Sequence, residues 1–322
     1  MRYVDVAGTR VSRIGLGTWQ FGSGEWGYGA DYADRTAGDL VRRALDLGIN
    51  LIDTAEAYGM GASERIVGQA LADRRDEAFV ATKLLPVLPL EPIVEWRGSA
   101  SAARLGIETI DLYQIHWPNP LVPLGVQATG LRRLRDAGVV DHVGVSNFSA
   151  DRWFAIEQAL EAPVLSNQVR YSLVDRRPEA DVLPYAEACD RLVIAYSPLG
   201  QGLLGGRYDA AHPPSGAARR ANPLFLPDNL VAAGPLLEVL RQVAAAHDAT
   251  PAQVSLAWVL RRPNVVVIPG ASSVDQLEAN AAAAELDLTD DEATALDEAS
   301  AAFSPRTGAS VVPDLVRARL GA

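Results

Sequence analysis

A single alternation, held from one end of the chain to the other, limits what this sequence can fold into: short β-branched runs separated by longer stretches of helical period. Eight such runs are readable, at 14–16, 50–53, 79–83, 110–116, 142–146, 164–168, 192–196 and 265–268. Helical patterns fill the gaps, at 34–47, 63–72, 92–105, 131–137, 151–160, 178–189, 235–247 and 250–261, and Gly48, Gly106 and Gly138 stand where a left-handed residue ends a helix. Strands that alternate with helices pair in parallel, and eight of them in 322 residues predict an α/β fold, a closed (β/α)8 TIM barrel forming one domain over 1–322. An open doubly wound sheet would instead place G-x-G-x-x-G between its first strand and first helix. Gly22, Gly24, Gly27 and Gly29 lack that spacing and follow Trp19 in a loop. Ahead of the first barrel strand, residues 3–6 and 10–12 alternate around Gly8 and Thr9, which reads as a β-hairpin capping the barrel's bottom. The longest stretch without period, 197–229, follows the seventh strand and reads as a long binding loop.

Charge and composition remove several functions. A net charge of −11 opposes nucleic acid and anionic lipid as partners, since both require a basic surface. No apolar run nears the roughly 18 residues of a membrane helix, and residues 1–9 lack a basic start followed by an apolar stretch, so neither a membrane span nor a secretory signal is expected. The one cysteine, Cys189, allows no internal disulfide, and the expected compartment is the cytoplasm. Of the 29 Lys and Arg residues, only Lys83 is lysine. Drift toward arginine codons accounts for the majority but not for the exception. A position that needs a compact ammonium, or a pKa that can shift, cannot accept an always-charged guanidinium fork.

Barrels of this kind build their chemistry at the C-terminal ends of the strands. Those ends deliver Asp53, with Tyr58 in the next loop, then Lys83, His116, Ser146 with Asn147, Asn167 with Gln168, and Tyr196 with Ser197. Taken singly, such an Asp caps a turn, such a His is a hydrogen-bonded structural residue and such a Tyr is packing. Independent strands have no folding reason to bring Asp, Tyr, Lys and His to one rim, so the four together are candidate catalytic residues. One His and one carboxylate fall short of the three protein ligands of a catalytic zinc, and no metal is expected.

Five strings on these segments resemble the aldo-keto reductase superfamily, in that family's order: D-T-A-E-A-Y-G at 53–59, A-T-K ending at Lys83, D-L-Y-Q-I-H-W at 111–117, G-V-S-N-F at 144–148 and Y-S-P-L-G at 196–200. The similarity runs from Gly15 to about Asn280. It implies a (β/α)8 barrel, NADPH as cofactor, and a catalytic tetrad of Asp53, Tyr58, Lys83 and His116. It also implies that Tyr196 stacks on the nicotinamide ring, that Ser146, Asn147 and Gln168 hold its carboxamide, and that Gly17, Thr18, Trp19 and Asp53 complete that wall. Ser197, Pro198, Leu199, Gly200 and Gly202 resemble the loop along the pyrophosphate, with Arg207 near it and Arg219 and Arg220 over the adenosine side. The string I-P-G-A-S-S-V-D-Q-L-E-A-N at 268–280 resembles the adenosine-phosphate segment. Pro269 and Gly270 open it, Ser272 and Gln276 match positions that meet the 2'-phosphate, and Asn280 matches the adenine contact. Two positions depart from the pattern: Gln276, at or near which many members carry Arg, and Ala279, where they carry Glu. Neutral donors grip a dianionic phosphate less firmly than a guanidinium, so the expectation is NADPH ahead of NADH by a modest margin, with NADH accepted at lower affinity.

The residue types suit carbonyl reduction. Hydride delivery creates an alkoxide that needs a proton, and a phenol with a pKa near 10 is a weak donor unless perturbed. Lys83 is expected to lower that pKa for Tyr58, Asp53 to hold the ammonium, and His116 to orient the carbonyl or share the proton. Trp19, Trp26, Tyr28 and Trp117 provide an aromatic pocket for the expected partner, a small-molecule aldehyde or ketone of apolar or aryl character. Monomer and homo-oligomer both stay open. A lyase forming a Schiff base on Lys83 would leave the strings at 196–200 and 268–280 without purpose. The alternative from another class is a cofactor-binding, redox-sensing subunit with little turnover; such members typically replace the tetrad's His, and His116 is present.

Overall fold

The computed structural model describes residues 1–22, 36–214, 217–308 and 311. β1 (Tyr3–Val6) and β2 (Thr9–Ser12) form the antiparallel hairpin, turning at Ala7 and Gly8, both at positive φ. Eight strands follow: β3 (Leu16–Gly17), β4 (Leu51–Asp53), β5 (Phe79–Leu84), β6 (Ile110–Ile115), β7 (Val140–Ser146), β8 (Ser166–Arg170), β9 (Leu192–Tyr196) and β10 (Val265–Val267). They pair in parallel and in chain order. The first and last segments then meet. Gly15 N–H donates to Val267 O at 2.7 Å, Val267 N–H to Arg13 O at 3.0 Å and Gly17 N–H to Pro269 O at 3.2 Å, which closes the sheet into the expected barrel. Gly17 permits that closure, since a Cβ there would lie 2.7 Å from Ile268 O.

Strand alternation sorts the residues into two shells. Leu51, Ala81, Leu112, Leu192, Ile194 and Val266 point inward and fill the lower barrel with Val6 and Val11 of the hairpin. Ile52, Val80, Tyr113, Ile115, Val193 and Val267 point outward into the larger core beneath the helices. The hairpin seals the N-terminal mouth as expected: Asn50, just before β4, accepts from Ser12 N at 2.7 Å and donates to Arg10 O at 2.9 Å. Only the opposite mouth, where the strands end, is left for chemistry.

Several helices run differently from the sequence expectation. The helix expected at 131–137 spans Leu124–Asp136. Gly125 and Gly130 weaken its pattern, yet Gly130 is needed where a Cβ would lie 2.7 Å from Val94 Cβ and 2.9 Å from Glu91 O of the neighbouring helix. The stretch at 178–189 breaks at Asp181, which caps the helix Val182–Ala188 by accepting from Val182 N at 2.8 Å. The helix expected from Pro235 begins at Pro227 and runs to Ala246 with Pro235 inside it, because Leu230, Ala233, Leu236, Leu237 and Leu240 bury one continuous face. Within 197–229 the chain forms short turns at Gly200–Gly205, Ala217–Arg220 and Pro223–Phe225. Helices Val274–Ala282 and Asp290–Ala302 lie outside the expected set, the second opened by a capping box of Thr289 and Glu292. Among the described residues no helix is long and apolar enough to cross a membrane.

Candidate active site

The inner face of the barrel changes character toward its open mouth. Following each inward series upward, Leu51 leads to Asp53, Phe79 and Ala81 to Lys83, and Leu112 and Gln114 to His116. Lys83 is wholly buried and Asp53 nearly so. Lys83 Nζ donates to Asp53 Oδ1 at 2.6 Å, to Thr54 O at 2.8 Å and to Tyr58 Oη at 3.2 Å. The second Asp53 oxygen accepts from Gln168 Nε2 at 2.6 Å. Tyr58 meets the ammonium from the loop after β4, immediately ahead of Gly59, Met60 and Gly61, all at positive φ. His116 lies edge-on to the Tyr58 ring, centroids 5.9 Å apart, and stacks flat on Trp117 at 3.8 Å. Four residues from three strand ends and one loop therefore converge.

Burial governs their protonation. Burial pushes the Asp53 carboxyl up, while the Lys83 ammonium and the Gln168 amide pull it back. Burial pulls the Lys83 amine down, and the attraction of Asp53 and Tyr58 more than offsets it, so the net direction is up. We take the ion pair as formed, because Nζ is held by three oxygens and Asp53 by two donors. Tyr58 departs from expectation: Lys83 does pull the phenol down, but burial is larger and the net direction is up. Burial, followed by the nearby Lys83 charge, lowers His116 to about 3, and its Nδ1 is buried without a hydrogen-bond partner. The imidazole is neutral at ordinary pH.

A cleft of about 910 Å³ opens over this group. Gly17, Thr18 and Trp19 form its wall after β3, and Pro269, Gly270, Ser272, Gln276 and Asn280 the wall after β10. Asp53, Tyr58, His116 and Trp117 line its floor and side, while Lys83 is sealed beneath. Ser146, Asn147 and Gln168 also line it and are already knit together: Ser146 Oγ donates to Gln168 O at 2.8 Å, and Asn147 Nδ2 to Ser146 Oγ at 3.0 Å. Tyr196 Oη donates to Asn147 Oδ1 at 2.9 Å. Asn147 and Ser197, the residues just after β7 and β9, hold φ of 61° and 50°, a left-handed conformation that costs about 1–3 kcal/mol in a non-glycine residue. Ser197, Pro198, Leu199, Gly202 and Arg207 continue the lining along the next loop.

Two expected residues do not reach the cleft. Gly200 is buried in its turn, where a Cβ would meet Val174 Cγ2 at 2.9 Å. Arg220 points to solvent, since adjacent residues of a helical turn diverge by about 100°. Its neighbour Arg219 lines the cleft instead, donating from Nε to Gln201 O at 3.0 Å, with its guanidinium 5.5 Å from the Tyr208 ring. Trp26 and Tyr28 lie outside the described residues. The sequence reading also missed Gln20, Arg170, Gln201 and Tyr208, which line the cleft. For Arg170 a signal existed in the period of two from Gln168; for the other three the sequence carried none. Among the described residues no group of three or more His, Cys, Asp or Glu is arranged to hold a metal ion.

Comparison with known proteins follows the same lines. Residues 13–301 match the model of the aldo/keto reductase family. An uncharacterized oxidoreductase of Mycobacterium tuberculosis is 52% identical over 321 residues, covering 99% of each chain. The NADH-specific methylglyoxal reductase of Escherichia coli is 34% identical, covering 91% of this chain and 96% of its own. Among solved structures, an aldo/keto reductase from Klebsiella pneumoniae in complex with NADP and acetate superposes with a TM-score of 0.76 at 29% identity, covering 95% of this chain and 96% of that one.

Proposed function

Because this chain belongs to the aldo/keto reductase family and is an oxidoreductase, we propose that it reduces aldehydes or ketones to alcohols with NADPH, that Tyr58 donates the proton, and that residues 1–322 act as one domain. The observation that carries the reading is the chain of contacts from Asp53 Oδ1 through Lys83 Nζ to Tyr58 Oη, at 2.6 and 3.2 Å, opening on a large cleft.

The residues around the cleft suit a dinucleotide. Tyr196 offers a ring face, Ser146, Asn147 and Gln168 offer amide and hydroxyl groups for a carboxamide, and Arg207 and Arg219 offer charge for phosphates. Ser272 and Gln276 would meet the adenosine ribose end and Asn280 the adenine. The bound cofactor would supply the hydride. As the carbonyl oxygen gains charge, Tyr58 Oη passes its proton to it. Lys83 then stabilises the phenolate left behind, and Asp53 keeps the ammonium in register. A neutral His116 orients the carbonyl by hydrogen bonding, and its low pKa removes it as the proton source.

NADPH is favoured by the NADP-bound structural relative, and a modest margin by the NADH-specific reductase and by Gln276. Gln276 Oε1 accepts from both Ser272 N and Oγ, at 2.9 and 3.0 Å, so its amide nitrogen is the part left to face a phosphate. Oxidation of NADPH in the presence of 4-nitrobenzaldehyde or a dicarbonyl tests the reading. Turnover that depends on Tyr58 is expected. Tight cofactor binding without turnover across a panel of aldehydes, ketones and dicarbonyls would point to the sensing subunit instead.

A further inference from the structure

Gln168 and Arg170 stand two residues apart on β8, so their side chains leave the same face of the strand. Gln168 turns into the barrel to reach Asp53. Arg170 therefore occupies the inner face one pleat higher, roughly 7 Å along the strand, where it lines the cleft. Across the ladder it is paired with Tyr196, and its guanidinium lies 5.7 Å from that ring. Tyr196 is itself held by Asn147, so the surface under the guanidinium is fixed.

Among the described residues this guanidinium has no carboxylate and no hydrogen-bond acceptor, and it lies over the Tyr196 ring. Arg10, Arg135, Arg152, Arg207 and Arg220 likewise lack a carboxylate or hydrogen-bond partner among the described residues, but of these only Arg207 shares the cleft. Arg177, on the next segment, is bound twice by Asp175, at 2.8 and 2.6 Å. Asp53 is the only described carboxylate lining the cleft, and it is committed to Lys83 and Gln168. Arg207 and Arg219 also face the cleft, but they rise from the loop after β9, whereas Arg170 ends β8, two residues beyond the Gln168 that holds Asp53. Trp117 and Tyr58 line the same cleft, so it presents both aromatic rings and arginine side chains.

We propose that Arg170 is the anchor for a negatively charged group on the substrate, and that carbonyl compounds bearing a carboxylate a few bonds from the reducible carbon are the preferred class. The inference rests on the reductase reading above. A carboxylate accepts two parallel N–H bonds from a guanidinium, and at a half-open rim that contact weakens as salt rises.

The test compares 4-carboxybenzaldehyde with 4-nitrobenzaldehyde, similar in shape and different in charge, in the parent, Arg170→Met and Arg170→Lys proteins. Benzoate binding to the NADP+-loaded and the cofactor-free protein is followed by tryptophan fluorescence. The kcat/KM ratio, carboxy over nitro, is expected to fall about tenfold to a hundredfold in Arg170→Met, mostly through KM, the scale of one charge-assisted pair. Arg170→Lys retains part of it, and the parent's ratio declines with added salt. Benzoate is expected to bind the parent and not Arg170→Met. An unchanged ratio overturns the anchor, as does a loss confined to NADP+ affinity, which would assign Arg170 to the cofactor. If neither aldehyde turns over in any protein, the reductase reading has failed; Arg170-dependent benzoate binding would then still support an anion anchor, and its absence would refute one.

Discussion

Lys83 Nζ and Asp53 Oδ1 lie 2.6 Å apart at the floor of the cleft, their side chains 0% and 2% exposed. The chain's only lysine is thus committed to a buried carboxylate, with one further donor position aimed at Tyr58 Oη. Such a pair is stable only while both members remain, since removing one leaves an uncompensated charge.

Lys83→Arg and Lys83→Met should both abolish most activity, for different reasons. The guanidinium is too large for a site in which Nζ already touches three oxygens, and the thioether leaves Asp53 unpaired. Urea unfolding should show Lys83→Met destabilised by about 3–5 kcal/mol, with much of that recovered in the double variant Asp53→Asn/Lys83→Met. Additive losses in the double-mutant cycle would mean that the two residues are not energetically coupled.

Tyr58→Phe should lower turnover more than about a hundredfold while cofactor affinity, measured by fluorescence titration, stays close to the parent's. Because burial holds the phenol above its usual pKa of 10, the rate of reduction should be level from about pH 6 to 9. Oxidation of the alcohol needs the phenolate and should climb across the same range. A reduction rate that falls through neutrality would identify another proton donor.

His116 makes a prediction about stability. Its pKa is lowered from 6.5 in the unfolded chain to about 3 in the fold, first by burial and then by Lys83. Between those values the unfolded chain binds a proton that the folded chain refuses. Stability is therefore fully present above pH 6.5 and is lost as pH falls, by up to about 1.4 kcal/mol per pH unit. Subtracting the unfolding profile of His116→Asn from that of the parent should isolate this slope; identical profiles would show that the imidazole takes up its proton in the fold.

Replacing Gln276 by Arg should widen the preference for NADPH over NADH by about 1–2 kcal/mol, the order of one charge-assisted hydrogen bond. The price is the loss of the acceptor for Ser272 N and Oγ, so NADH affinity should fall slightly as well. The margin should shrink with salt as the arginines of the cleft are screened. Equal binding of the two cofactors in both proteins would dissociate this segment from the adenosine end.

Gly17→Ala should destabilise the fold by about 1–3 kcal/mol in chemical unfolding, because the added methyl would lie 2.7 Å from Ile268 O, a backbone atom that cannot rotate away. Parent-like stability would mean that the seam between the first and last strands opens at little cost.

The alternation of strands and helices, the hairpin, and the four polar residues at three strand ends and in the loop after β4 were all legible in the sequence, because each is written in local period or in residue type. Lys83 was legible for a simpler reason: it is the one position where the drift to arginine stopped. What the sequence could not decide depends on neighbours distant in the chain. The helix Leu124–Asp136 tolerates Gly130 only because Val94 and Glu91 of another helix press against it. Whether Arg219 or Arg220 reaches the cleft follows from the angular placement of one turn. The pull of Lys83 on the Tyr58 phenol is visible in the sequence as a residue type, whereas the larger opposing effect, burial, exists only once the barrel has closed. For the same reason Arg170 is an ordinary arginine in the sequence and, among the described residues of the fold, a cation without a carboxylate beside it in the cleft: pairing is a property of three-dimensional neighbours, and only closure of the sheet brings β4, β8 and β9 to one rim.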